Sequence, residues 1–207
     1  MPPAPIEIPE KTPAEALTEA APAQRRPFRL VGCFRRSQDG ATAVEFGFIA
    51  LPFLFVLAAI FETALMFWTS QVLDEALSQT ARRVLTGEAN TRYASASASA
   101  NALAFRNDIC SRASSLIDCE KVSIDVRSFA SFAEARTGVD ASNPIAAGGL
   151  NTNGFSYNRP QPEQIVVVRA VLEYRLIFTQ WSASLVNIGR NRRGIVATTA
   201  FRTEPWQ

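Results

Sequence analysis

Few residues in this chain have the types and spacing that chemistry needs. None of the 207 residues is histidine, which removes the commonest general base, the Ser-His-Asp arrangement and the commonest metal ligand. Serines are abundant, but none has an identifiable base. Gly148-Gly149 lacks the spacing of a nucleotide fingerprint and no convincing helix follows it. The adjacent acids Asp74 and Glu75 face different directions from a helix and read as solvation. The sequence contains no phosphate loop, nucleophile elbow or metal constellation, so no catalytic residue, metal or cofactor is assigned.

Two small constellations remain. The first is Asp39-Gly40-Ala41-Thr42-Ala43-Val44-Glu45-Phe46, which runs directly into an apolar stretch. A cut after Gly40 would make Ala41 a free amine at the start of a helix, with Glu45 on the same helical face four residues on. In low dielectric an ammonium beside a carboxylate partly offsets the cost of placing each there. The carboxylate could equally reach the amine of a neighbouring subunit and set the register of a helical bundle. Ala43, Gly47 and Ala50 would permit close helix approach. The plain alternative is an uncut anchor with Glu45 at the headgroup boundary. The second constellation is Cys110 and Cys119, with no third cysteine or histidine nearby to complete a metal site. A disulfide there closes a loop of roughly ten residues and contributes about 2.7 kcal/mol in the chain-entropy model. Two buried free thiols are the other reading, whereas Cys33, before the apolar run, is expected to stay reduced.

These groups are positioned by the apolar run. Phe46 to Trp68 forms a helix of about 34 Å, enough to cross a hydrocarbon core of about 30 Å. A cleaved secretory signal fits less well, because the run exceeds the usual apolar core and no clean small-x-small site follows. Pro52 removes one backbone donor and bends the helix. Glu62 interrupts the span, and two readings stay open: a contact to a partner helix in a membrane complex, or a span that ends near Phe61 with Glu62 in the interface. Before the run, Arg25, Arg26, Arg29, Arg35 and Arg36 favour cytoplasmic retention and anionic lipid. Residues 1–24, rich in proline, read as a disordered cytoplasmic tail, and 25–40 as a basic leader. Overall, 21 basic residues against 19 acidic leave a charge of +2, with no global field to draw nucleic acid.

Beyond the span, Val72, Leu73, Ala76, Leu77, Thr80, Ala81, Val84 and Leu85 recur at helical spacing, so residues 41–86 read as one long helix with Gly87 as the stop. The alternating Ala and Ser of Tyr93 to Asn101 read as a linker or a weak helical turn, and Ala102 to Ile117 as a helix. Alternation makes Lys121 to Phe129 a half-buried strand, with Ser123, Asp125 and Arg127 on its polar face. A helical turn at Ser131 to Arg136 precedes a long Gly, Asn and Pro-rich loop, 137–164, a candidate binding surface. A strand from Ile165, an amphipathic helix over Ile177 to Ile188 and a last strand over Gly194 to Arg202 complete the set. Residues 87–207 are therefore expected to form an α+β domain with a roughly three-stranded antiparallel sheet and helices on one side.

Arg35-Arg36-Ser37-Gln38-Asp39-Gly40-Ala41-Thr42-Ala43-Val44-Glu45-Phe46, followed by a span with Pro52 and Glu62, resembles the TadE-like proteins of tight-adherence (Flp) pilus systems. The ending Ala200-Phe201-Arg202-Thr203-Glu204-Pro205 is similar to that family's C-terminus. The resemblance implies a pseudopilin-like assembly protein of the bacterial inner membrane, N-terminus cytoplasmic and C-terminal domain periplasmic. It also implies processing after Gly40 by a prepilin peptidase and work alongside pilus biogenesis components or other pseudopilins. On that view the chain is a substrate of the peptidase, not an enzyme, and its other partner is the lipid bilayer. Ala41 stands where many type IV pilins begin with a bulky aromatic, and Asp39 sits beside the cut. The alternatives are an uncleaved single-pass envelope protein whose periplasmic domain binds a partner, and a membrane-tethered enzyme.

Overall fold

The structure, a computed structural model, describes residues 40–113, 117–146, 148–180, 182, 184–189 and 191–206. The proline-rich segment, the five arginines, Asp39 and Cys33 lie outside the described residues. Contacts divide the chain into two units, Met1–Phe48 and Ile49–Gln207. In the first, the described part is Gly40 and the opening turns of helix α1.

Helix α1 runs over Ala41–Leu85 with Pro52 inside it and Arg82 and Arg83 in its last turn, where cations suit the negative end of the helix dipole. It stops where expected: Gly87 takes φ +80°, a left-handed conformation that glycine adopts without a side-chain penalty. The second half of α1 buries Glu62, Met66, Thr69, Leu73, Ala76, Leu77, Thr80, Ala81 and Val84. Steps of three and four residues place these on one stripe. The hydroxyls of Thr69 and Thr80 donate to the carbonyls of Leu65 and Ala76, so the polar members of the stripe are satisfied within the helix.

After the short helix α2, Ala89–Arg92, helix α3 spans Ala98–Arg112, four residues earlier at its start than Ala102. The reason is a cap: Ser97 accepts from the Ala100 N–H, and the Asn101 side chain bonds both the N–H and the carbonyl of Ser95. A 3-10 turn at Cys119–Lys121 leads into strand β1, Val122–Phe129. Helix α4, Phe132–Ala141, is longer than the single turn expected. Ser131 accepts from the Glu134 N–H while the Glu134 carboxylate accepts from the Ala130 N–H, a reciprocal cap.

The segment 137–164 is more ordered than a plain loop. It holds the end of α4, a small hairpin of β2, Ile145–Ala146, with β3, Gly149–Leu150, and a bridge from Tyr157 to Val126. Strands β4, Ile165–Arg175, and β5, Arg192–Arg202, follow. The sheet order is β1-β4-β5, antiparallel throughout, with Val126 opposite Val168 and Val168 opposite Thr199. The α+β expectation with three antiparallel strands therefore holds.

Two expectations do not. Helices cover both faces of the sheet, not one. Val166, Val168, Ala170 and Leu172 of β4 join the main core with α1, α3, Tyr93 and Tyr157, whereas Ile165 and Val167 pack with Ala135, Val139 and Phe129 beneath α4. Alternate residues of β4 face opposite ways, and both faces are apolar, as a strand covered on both sides requires. The second correction is the helix expected over Ile177 to Ile188. Its described residues form separate turns, tied by Ser182 N–H to Thr179 O and Leu185 N–H to Ser182 O. The backbone there is used elsewhere: Leu176 N–H donates to Asn191 O, and Asn187 and Ile188 N–H both donate to Arg192 O.

Candidate functional site

The junction begins with a half-buried Gly40, and Ala41 through Phe46, Glu45 included, are all exposed. Because α1 starts at Ala41, Ala41 and Glu45 share a helical face in the structure as in the expectation. Gly47 has open space where a side chain would stand. From Val44 to Phe61 the large apolar side chains Phe46, Phe48, Ile49, Leu51 and Phe53 are among the most exposed of the chain. The helix is long and apolar enough to cross a membrane, and its most apolar window is entirely uncovered by protein. Exposed carbon of this extent needs lipid or other helices around it.

Glu62 behaves differently from its neighbours. It is only 6% exposed, and its carboxylate accepts four hydrogen bonds from one turn of chain. The Ile177 N–H donates to Oε1, while Phe178 N–H (2.9 Å), Thr179 N–H (2.6 Å) and the Thr179 hydroxyl (2.7 Å) donate to Oε2. Successive backbone N–H groups turned toward one point make an anion-binding nest, and here the anion is a side chain of the same molecule. Neither sequence reading of Glu62 contained this intramolecular clasp.

A second carboxylate, Asp108 on α3, gathers three donors. Arg83 of α1 reaches it at 2.7 Å, Arg92 of α2 makes a bidentate pair at 2.5 and 2.7 Å, and the Tyr93 hydroxyl donates at 2.5 Å. The Arg92 hydrogen bond, reinforced by Tyr93 and both arginine charges against the opposing effect of burial, holds the Asp108 carboxyl down at about 2. Burial, then Asp108, pushes the Tyr93 phenol up to about 12. The cluster locks the end of α1 to the domain. Alongside it, Cys110 and Cys119 are disulfide-bonded with Cα atoms 5.9 Å apart, joining α3 to the turn before β1.

A third group sits under α4. Arg169 donates to Asp125 through Nη2 (2.5 Å) and Nε (3.2 Å), and to Ser142 through its hydroxyl and carbonyl. Arg127 bonds the other Asp125 oxygen at 3.0 Å. Asp125 is 1% exposed and Arg169 2%, so the face of β1 expected to be polar and solvated is instead a covered ionic layer. The signal was present in the strands themselves, since Asp125 and Arg169 are direct partners in the β1-β4 register. Among the described residues no group of three or more His, Cys, Asp or Glu side chains has metal-binding geometry, and the buried carboxylates are all occupied by donors of the same chain.

These features define a class: a small α+β domain carried on one long helix whose first part has a membrane-compatible, uncovered surface. A family model described as TadE-like protein matches residues 40–82, so this segment is similar to that family, as the residues around Gly40 and Glu45 had suggested. The match covers the helix almost to its last turn, and the family suggests a role in tight-adherence pilus assembly. No curated protein and no solved structure matches the chain.

Proposed function

We propose that the chain is a membrane-anchored, pseudopilin-like assembly protein of a tight-adherence pilus system, processed after Gly40 by a prepilin peptidase. The observation that carries this reading is the construction of α1. One TadE-like helix supplies an exposed apolar half to lipid or to helices of other subunits, and a buried half that is integral to the domain. A cut after Gly40 leaves the amine of Ala41 one turn from Glu45, and both face outward, available to a neighbouring subunit. The arginines before the junction keep the leader cytoplasmic, which puts the disulfide-bonded domain in the periplasm. Gly47, with open space beside it, admits a second helix closely. The role is architectural; the chain is a substrate of the peptidase and works with other pilus biogenesis components.

Intact-mass measurement of protein extracted from membranes of cells with an active prepilin peptidase tests the processing. An N-terminus at Ala41 is expected, and a chain beginning near Met1 overturns the cut in favour of an uncleaved envelope anchor. Glu45→Ala should still insert in the membrane while pilus assembly fails, and normal piliation by that variant would remove the role given to its carboxylate.

A further inference from the structure

We propose that the turn Leu176–Thr179, with the adjoining sheet end that carries Arg175 and Arg192, docks on the surface of an anionic lipid bilayer beside the helix that crosses it. This rests on the reading of α1 as a membrane helix. No residue of α1 from Ala41 to Phe61 is buried, whereas Glu62 and Met66 are covered by the domain. Val44 to Phe61 then spans about 27 Å, close to a hydrocarbon core of about 30 Å. The next seven residues, Glu62 to Trp68, rise about 10 Å, comparable with one headgroup layer. Trp68 is 62% exposed at the end of that interval, where interfacial aromatics collect.

The clasp places the turn at this level. Ile177, Phe178 and Thr179 are each within one hydrogen bond of the Glu62 carboxylate, so the turn stands where the span leaves the hydrocarbon. Its composition fits that place. Outside α1, the exposed large apolar residues among those described are Leu103, Phe132, Ile177, Phe178 and Val196. Ile177 and Phe178 are the adjacent pair, and they are the pair beside Glu62. Immediately before them, Arg175 is exposed and lies opposite Arg192 in the β4-β5 register, with Arg193 next to it. Glu173, bonded to Arg192, is the one acid of this sheet end. Apolar side chains flanked by surplus arginines match an anionic interface, where carbon enters the acyl boundary and cations remain with the headgroups. The domain is thus held to the bilayer at two points, which fixes its tilt.

The test uses the full chain with Cys33→Ser and a fluorophore on Ile177→Cys, reconstituted in vesicles of phosphatidylcholine and phosphatidylglycerol carrying a shallow lipid nitroxide. Parallel probes sit on Phe53→Cys, at the middle of the span and read against a deep acyl-chain nitroxide in a second set of vesicles, and on Phe132→Cys, on the exposed start of α4. The shallow nitroxide should quench the Ile177 probe about twofold more than the Phe132 probe. Arg175→Gln, outside the clasp, should reduce that difference, as should vesicles of phosphatidylcholine alone. A quenched Phe53 probe with an Ile177 probe as open to aqueous iodide as Phe132 overturns the docking while leaving the span intact; this is also the result expected if a protein covers the turn. An unquenched Phe53 probe overturns the span, and the docking with it.

Discussion

Asp108→Asn isolates what the joint between helix and domain contributes. In the folded protein the Asp108 carboxyl titrates at about 2 against an ordinary value of 3.8. A difference of about 1.8 units at about 1.36 kcal/mol each gives about 2 kcal/mol. Because the Arg92 side chain is 45% exposed, solvent screening makes this an upper value. The sign follows from the direction. A carboxyl with a depressed folded pKa stabilises the fold fully above 3.8, and the contribution is lost as pH falls through about 2. Denaturant unfolding of the full chain in detergent, followed by near-UV circular dichroism between pH 5 and pH 2, should show a steeper loss for the parent than for Asp108→Asn. The gap between them should be at most about 2 kcal/mol at pH 5 and close near pH 2. Other carboxyls titrate in both proteins and cancel in the comparison. Parallel profiles across this range would refute the assignment of Asp108 as the charged centre of the joint.

Three further outcomes follow from the same geometry. A Cβ on Gly87 would stand 2.6 Å from the Trp206 ring at φ +80°, whereas one on Gly148, at φ +71°, meets nothing within 4 Å. Gly148→Ala should therefore cost only the backbone penalty of about 1 kcal/mol, and Gly87→Ala clearly more, with a shift in tryptophan emission; equal costs in denaturant unfolding would remove the Trp206 contact. Arg169→Met should destabilise the fold by about 3 to 5 kcal/mol by leaving buried Asp125 with only Arg127 and the Ser156 N–H, both on one oxygen, and thermal unfolding together with proteolysis within 142–157 checks it. Replacing both Cys110 and Cys119 by serine should cost about 2.7 kcal/mol. The reductant sensitivity of the parent's melting temperature should disappear with it.

Much of this architecture is legible in the chain because it is written locally. The period of the buried stripe from Leu73 to Val84, the glycine that stops α1, the alternation of Val122, Ile124 and Val126, and the Ile165-Val166-Val167-Val168 run each announce themselves within a few residues. The errors have a common cause. Phe178, Leu185 and Ile188 have helical spacing, yet the N–H groups of Leu176, Asn187 and Ile188 bond the carbonyls of Asn191 and Arg192 across the β4–β5 connection. Periodicity does not see such a competitor. The second sheet face was missed because Ser123, Asp125 and Arg127 look solvated when β1 is read alone. Only alignment of β1 with β4 shows Asp125 meeting Arg169, an opposite-charge pair that can be covered.

Glu62 shows how far each kind of reasoning reaches. From sequence, a carboxylate in an apolar helix must be neutralised, partnered or at a boundary, because an unpaired charge in hydrocarbon costs several kcal/mol. That argument bounds the solutions without selecting one. The fold selects two together: the carboxylate is partnered, by three backbone N–H groups and a hydroxyl, and the partner is the domain itself. A folded domain that grips the helix at Glu62 makes it the first buried residue of α1. The boundary is then a property of tertiary structure, since the apolar residues continue to Trp68. Glu62 thus joins the buried stripe and the Arg83–Asp108 contact in holding the second half of α1 to the domain.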